Sequence, residues 1–437
     1  MKIAIVGTGI AGHAAALALR LDSRGHDLTV YESAARAGGH AATVDIDYRG
    51  RAIAVDTGFI VYNTLNYPSL TAFFDWAGIA TQASDMSFAV SADNGGFEFC
   101  GRESGGVLSG LFAQKSNLLS PSFLMMLREI MRFQVTARRD RSQGSIGPGS
   151  LADYLQRGRF SARLQRDYLV PMGAAIWSTS PKAMLDFPAQ SFIDFFDNHC
   201  LLQWNRPKWR TVTGGSRAYV AKIQDMLAGC VRLATPVTGV SRRNNRVEVA
   251  DAGGTTETYD HVVMATHARQ ALALLENPSQ AERAVLGAMR TSDNDVVLHC
   301  DDRLMPRRRA AWGAWNFLRS GQDDSTKACV TYWMNMLQGI DPACPLFITL
   351  NPPFEPRPES IFGRYSYAHP QFDAPALVAR ERLDDIQGTS RIWFCGAWTG
   401  HGFHEDGMAS GLQVARRLGA AAPWAQLVRP GLREAAE

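Results

Sequence analysis

The sequence predicts an α/β protein, and three observations carry that expectation. A short apolar run of strand length, Met1 to Val6, leads without a linker into Gly7-Thr-Gly9-Ile-Ala-Gly12. Behind the glycines, His13 to Leu21 has the alanine and leucine content of a helix lying close on a sheet, and Leu28 to Tyr31 reads as a second strand that ends at Glu32. Far along the chain, Arg391 to Cys395 reads as another strand, followed by a glycine turn and a helix through Leu418. Strand, glycine turn, helix, strand and acid in that order form the ADP-binding half of a Rossmann-like domain.

Each element has a mechanical reason. Gly7 permits the tight turn, Gly9 lets backbone N–H groups approach a pyrophosphate, and Gly12 lets the helix lie close against the strand. The helix N-terminus, with Ile10 and Ala11 in its first turn, adds partial positive charge for the phosphates. Glu32 stands where an acidic side chain accepts hydrogen bonds from a ribose diol, and Ser33 follows it.

Size and composition bound the rest. A chain of 437 residues exceeds what one hydrophobic core usually supports, so two domains with room for a large cofactor are expected. A net charge of +3 is too small to point to nucleic acid. The seven cysteines are scattered and contain no C-x-x-C pair, which speaks for buried thiols in a reducing compartment and against a disulfide framework or a metal site. The apolar N-terminus runs at once into the glycine turn, and no apolar run reaches about eighteen residues. Neither a leader nor a membrane span is therefore expected, and the cytoplasm is the expected location.

After Glu32 the chain continues Ser33-Ala-Ala-Arg36-Ala-Gly38-Gly39-His40. This resembles the second fingerprint of two-dinucleotide-binding flavoproteins, Glu-x-x-x-Arg-x-Gly-Gly, as found in the flavin amine oxidase and phytoene desaturase superfamily. Paired glycines bring backbone next to phosphates, and the Arg36 guanidinium can neutralise a pyrophosphate or hold the loop. The strand from Val55 ends at Asp56-Thr57-Gly58-Phe59, where Gly58 and Phe59 can approach the cofactor and Asp56 reads as a turn residue.

The resemblance implies FAD, bound in a Rossmann-like domain of the two-dinucleotide-binding type with an inserted α+β substrate domain. It places the Val237 backbone at the adenine and Ala265 and Thr266 over the pyrophosphate. Gly396-Ala397-Trp398 and Asp406-Gly407-Met408 would then deliver the isoalloxazine to a helix N-terminus, which favours negative charge on reduced flavin. The expected division is 1–75, 205–295 and 385–425 for the FAD domain and 76–204 and 296–384 for the substrate domain. Residues 426–437 form a tail.

The substrate side is marked by aromatic residues. Ser150 to Phe196 crowds large rings beside glycine and proline bends, as a pocket wall would, and Val296 to Leu383 alternates in strand fashion. Trp177, Tyr332 and Trp333 are candidates for the lining, and His404 and Glu405 for proton handling. The lysine that amine oxidases place at flavin N5 has no clear counterpart, Lys327 being the nearest.

Over its length the chain resembles bacterial FAD-dependent, amine-oxidase-like proteins, similar to flavoproteins that desaturate methyl-branched acyl chains on the way to furan fatty acids. That likeness implies removal of two hydrogens from an apolar acyl-lipid or prenyl-like substrate, with the electron acceptor left open. Amine or amino-acid oxidation and redox-silent lipid binding are the alternatives. Phe123 to Val135 repeats Phe123, Met126, Leu127, Ile130 and Met131 at helical spacing, with Arg128, Arg132, Arg138 and Arg139 alongside. Its apolar face is expected at the acyl boundary of an anionic membrane, with the arginines on headgroups and the protein peripheral on the inner face.

Overall fold

The structure is a computed structural model that describes residues 1–102, 107–203, 207–319 and 327–428. Five parallel strands form the first sheet, in the spatial order Val231–Arg232, Asp27–Tyr31, Lys2–Val6, His261–Met264, Ile392–Phe394. Alternation along these strands separates two cores. Ile3, Ile5 and Val263 face helix Ile10–Arg20, while Ala4, Val6, Val262 and Met264 face the three-stranded meander built from residues 237–259. Ile10 to Leu19 are all buried, because the last helix, His404–Arg417, covers the side that the sheet does not.

That crossing depends on glycine. A Cβ on Gly411 would lie 2.1 Å from the Ala11 carbonyl oxygen, and one on Gly407 would lie 2.7 Å from Ile10 Cγ2.

The second sheet has seven strands, in the order Ile361–Pro370, Thr291–His299, Phe347–Leu350, Cys329–Trp333, Trp315–Arg319, Phe88–Ala92, Phe97–Gly101. Its pairs are antiparallel except that between Phe88–Ala92 and Trp315–Arg319. Helices Pro121–Ser142, Leu151–Arg157, Val170–Trp177 and Ala189–Asn198 share its apolar core. Two of the expected division points fall inside continuous structure. Thr291–His299 is one strand of this sheet across residue 295 and Pro68–Ala77 is one helix across residue 75, while Thr81–Ala83 joins Trp209–Val212 and Val61–Asn63 in a small sheet that spans the two expected domains.

Asp56 fastens the two halves. Its carboxylate accepts from the Ser216 N–H at 2.8 Å, the Ser216 hydroxyl at 2.8 Å and Gln338 Nε2 at 3.0 Å, and its own N–H donates to Gln338 Oε1 at 2.9 Å. Burial pushes this carboxyl above its ordinary range. The turn residue of the sequence is thus a buried polar stitch. Within the stretch expected to alternate in strand fashion, Arg309–Ala311 is a short turn of helix, and the next strand begins only at Trp315.

The amphipathic segment also departs from expectation. It is a helix, Pro121–Ser142, opened by Ser120, whose hydroxyl accepts from the Phe123 N–H at 3.3 Å. Its predicted apolar face is largely turned inward. Phe123 and Met126 are fully buried with Phe133 and Ala137, Leu127 and Ile130 pack partly against the same core, and only Met131 is exposed. Among the described residues no helix is long and apolar enough to cross a membrane.

Candidate active site

Residues from both sheets enclose a cavity of about 730 Å³, a size usual for ligand sites. One end is the glycine turn. Gly7, at φ 108°, takes a backbone that favours glycine, and a Cβ there would meet the Ala265 carbonyl oxygen at 2.8 Å. A Cβ on Gly9 would meet no atom within 4 Å, so this stretch of wall is open to a close-lying group.

Helix Ile10–Arg20 begins here with no side-chain cap and no acid in its first turn. Its leading N–H groups are left for an anion, and a cradle free of side chains and acids fits a pyrophosphate.

Glu32 faces the same end. Its Oε2 accepts from the Thr8 N–H at 3.0 Å and from the Thr8 hydroxyl, and its Oε1 accepts from the Ala34 N–H at 2.9 Å and the Ser33 hydroxyl at 3.3 Å. Thr8 Oγ1 in turn accepts from the Gly38 N–H at 3.2 Å. The acid therefore ties the first glycine turn to the second. The long Ser33 contact is the one a ribose hydroxyl can replace. Thr8, the middle residue of Gly-x-Gly, is one that the motif's spacing leaves unassigned.

Of the residues expected around the cofactor, Gly7, Gly9, Ile10, Ala11, Glu32, Ser33, Gly39, His40, Gly58, Phe59, Val237, Ala265, Thr266, Gly396, Ala397 and Trp398 line this cavity. Gly12, Arg36, Gly38, Asp406, Gly407 and Met408 stand one layer behind it. Gly12 is a packing glycine, since a Cβ there would lie 1.9 Å from the Gly7 carbonyl oxygen. Arg36 holds its own loop by donating to the carbonyls of Gly39 at 2.9 Å and Ala41 at 3.3 Å. Asp406 caps the last helix by accepting from the Phe403 N–H at 2.9 Å, and burial raises its pKa to about 6. Gly407 and Met408 pack that helix on the first. Trp398 closes the wall by donating from Nε1 to the Thr266 carbonyl at 3.1 Å.

The far end is apolar. Phe88, Val296, Trp315, Tyr332, Ile348 and Leu350 reach it from the second sheet, and Met172, Ala175, Ile176 and Trp177 from helix Val170–Trp177. Among the described residues that line the cavity there is no Lys, Arg or Asp, and Glu32 at the opposite end is the one carboxylate.

Two expected residues fall elsewhere. Trp333 points to the other side of its strand, because successive side chains alternate. There it meets Trp312 edge-on at 5.3 Å, and the Arg309 guanidinium lies 4.7 Å from the Trp333 ring centre. Glu405 is a helix cap rather than a cavity acid. Its two oxygens accept from the N–H groups of Ser69 at 2.8 Å and Leu70 at 3.0 Å, at the start of helix Pro68–Ala77. Lys327 is exposed, and its ammonium donates to the Asp293 carbonyl.

His404 does line the cavity. It stacks on Phe59 at 3.9 Å and shares a 2.6 Å hydrogen bond through Nε2 with the Tyr219 hydroxyl. Burial, helped by His40 and His13, lowers its pKa to about 3, so the ring is neutral at working pH. It has company that the sequence did not reveal. Six of the ten histidines in the chain, His40, His199, His267, His369, His401 and His404, line this cavity. His40 lies 5.9 Å from both His267 and His369, and His369 Nδ1 is 2.9 Å from the Ser178 hydroxyl. Burial lowers His40 to about 3 and His369 to about 4. No group of three metal-ligating side chains converges among the described residues.

Comparison with known proteins agrees with this geometry. Residues 10–335 match the family described as flavin containing amine oxidoreductase. Putrescine oxidase with bound putrescine superposes with a TM-score of 0.68 at 15% identity, covering 96% of this chain and 99% of that one. A conjugated-linoleic-acid-producing fatty acid isomerase from P. acnes gives 0.66 at 15% identity, covering 95% and 98%. Cyclohexylamine oxidase from Brevibacterium oxydans IH-35A gives 0.64 at 14%, covering 96% and 99%. No curated protein sequence matches the chain. The chain belongs to the flavin containing amine oxidoreductase family and is an FAD-dependent oxidoreductase.

Proposed function

We propose that the protein is a dehydrogenase of the desaturase type, which removes two hydrogens from an apolar acyl or prenyl-like chain. The observation that supports this is the far end of the cavity, walled by aliphatic and aromatic side chains with no Lys, Arg or Asp. Burying an ion there would cost several kcal/mol, whereas an alkyl chain gains about 0.8 kcal/mol for each buried CH₂. Gly7, Gly9 and the start of helix Ile10–Arg20 would hold the pyrophosphate, Glu32 the ribose, and Gly39, Gly58, Ala265, Ala397 and Trp398 the rest of the cofactor. Bound FAD supplies the two-electron acceptor.

The protein's own part is placement and exclusion of water. Trp177, held between Phe187 at 4.8 Å and Phe195 at 4.7 Å, gives the chain a rigid wall. His40, His369 and His404 stay neutral, so they offer hydrogen bonds without bringing charge into an apolar site. A base with a pKa near 3 is a weak proton acceptor at neutral pH. His404 is thus assigned to positioning, where its bond to Tyr219 fixes the ring against Phe59.

Amine oxidation is the second reading, supported by the family and by the two amine oxidases among the structural relatives. Lys327 lies on the surface, so the lysine typical of that chemistry has no counterpart at that position. Anaerobic mixing of the yellow enzyme with fatty acyl chains or with primary amines separates the two. Bleaching by acyl chains with formation of a new double bond is expected; bleaching by amines alone would overturn the desaturase reading.

A further inference from the structure

Among the described residues, seven of the thirteen large apolar side chains left exposed lie between positions 108 and 135. On helix Pro121–Ser142, Leu124, Met131 and Val135 follow one another at helical spacing on the side away from the core, and the turn Lys115–Leu119 just before it adds Leu118 and Leu119, the latter 88% exposed. Arg128, Arg138 and Arg139 are exposed within or beside this stripe. Arg132, expected with them, is committed inward, donating to the carbonyls of Gly158 at 2.9 Å and Arg159 at 3.0 Å with its guanidinium 3.9 Å from the Phe160 ring centre.

Charge gives the partner its sign. Residues 107–142 carry six basic and two acidic side chains, while the whole chain nets only +3. Neither acid lies on the exposed stripe, although Asp197 of the neighbouring helix Ala189–Asn198 stands 3.9 Å from the Arg138 guanidinium and 3.1 Å from that of Arg141. Glu129 is buried against Ser161, and Asp140 is half-buried and paired with Arg139 at 2.9 Å.

We propose that this face docks on an anionic phospholipid bilayer, with Leu119, Leu124 and Val135 entering the acyl boundary and Arg128 and Arg138 on the headgroups. A second copy of the chain is a poor occupant, since a twofold contact would set these arginines against themselves. The surface also stands next to the cavity. Gln134 of the same helix donates to the Leu201 carbonyl at 3.5 Å, and Arg141 pairs at 2.7 Å with Asp194 on helix Ala189–Asn198; Leu201 and Phe195 of that neighbourhood both line the cavity. The docking reading does not depend on the substrate, because it is read without turnover.

The test is co-sedimentation of the flavin-loaded protein with vesicles of phosphatidylcholine alone or mixed with phosphatidylglycerol. Binding to the mixed vesicles at low salt, weaker by about tenfold or more on neutral vesicles, is expected. Arg128→Gln with Arg138→Gln should lower the partition by about tenfold or more, and Leu119→Ser with Val135→Ser should also lower it, with flavin content unchanged in both. Equal binding by wild type and both variants, or no binding by the wild type, would overturn the proposal. So would a dimer or a complex with another protein that the same substitutions abolish while vesicle binding persists.

Discussion

The two ends of the cavity are built in opposite ways. The nucleotide end is assembled from backbone, with glycines at 7, 9 and 39 and a helix start whose N–H groups lack a cap. The far end is assembled from side chains that arrive from strands and helices between residues 86 and 372. The first lies largely within the first forty residues, and its glycines leave room beside the backbone for a ligand. The second is dispersed, and what it requires is volume and the absence of charge. A cofactor common to a whole family can be held by the first kind of site, while the second kind is free to change with the substrate.

The largest effect that could break this comparison lies within the glycines. Gly12→Val places a branched side chain where a Cβ already meets the Gly7 oxygen at 1.9 Å, so it should destroy the fold of the first domain. Gly9→Val should leave the fold intact, since Gly9 has an ordinary extended backbone, φ −60° and ψ 171°, and open space at its Cβ. That valine would instead fill the pyrophosphate position, giving a folded, colourless protein. Circular dichroism and flavin absorbance read the two outcomes separately. A yellow Gly9→Val protein would remove the phosphates from this turn.

The same contrast explains what was legible in the sequence. Gly7, Gly9, Gly12 and Glu32 could be assigned because spacing along one strand, turn and helix fixes their relative positions in space. Gly407 and Met408 were placed in the right region but one layer too far forward, since sequence distinguishes a glycine that touches a ligand from one that touches a helix only through the packing. The histidine cluster was invisible. His40, His267 and His369 lie more than a hundred positions apart and meet only when the two sheets close. Trp333 failed for a simpler reason: strand alternation allows either Tyr332 or Trp333 to face the cavity, and the sequence does not say which.

That pair gives a further test on the far end. Trp177→Ala removes a ring packed against Phe187, Phe192 and Phe195 and should cost about 3–5 kcal/mol of stability and most of the turnover. Trp333→Ala, behind the wall, should lower stability by less, because the ring is half-exposed, and leave the Michaelis constant unchanged. Thermal melts with steady-state kinetics check both. An altered Michaelis constant in Trp333→Ala would place the cavity on the wrong side of the strand.

Acidity should act on the seam between the two ends. His40, His369 and His404 are held near 3 to 4 in the folded protein against 6.5 for a free imidazole. Below pH 6.5 the unfolded chain takes up protons that the native rings refuse, so stability falls as pH drops toward the folded values, by at most about 1.4 kcal/mol per pH unit for each ring. The rings show an edge to the cavity, so the effect should be largest in the FAD-loaded protein, where cofactor replaces water. Melting temperature against pH for wild type and His369→Asn checks this; the variant should show a shallower acid decline, and an identical slope would mean that His369 is hydrated.

The smallest expected effect belongs to Glu405, one of the two residues that the sequence placed in proton handling. Glu405 accepts two backbone N–H groups at the start of helix Pro68–Ala77, a helix that begins after Tyr67 and so has no side-chain cap of its own. Glu405→Gln keeps one acceptor oxygen but replaces the other with a donor that faces a donor. A loss of about 1–2 kcal/mol of stability is expected, the scale of a helix cap. Turnover and its pH profile should not move, because the carboxylate does not reach the cavity. If the pH profile of turnover lost a limb in Glu405→Gln while the melting temperature stayed fixed, the carboxylate would be a proton carrier after all, and the apolar far end would no longer work on placement alone.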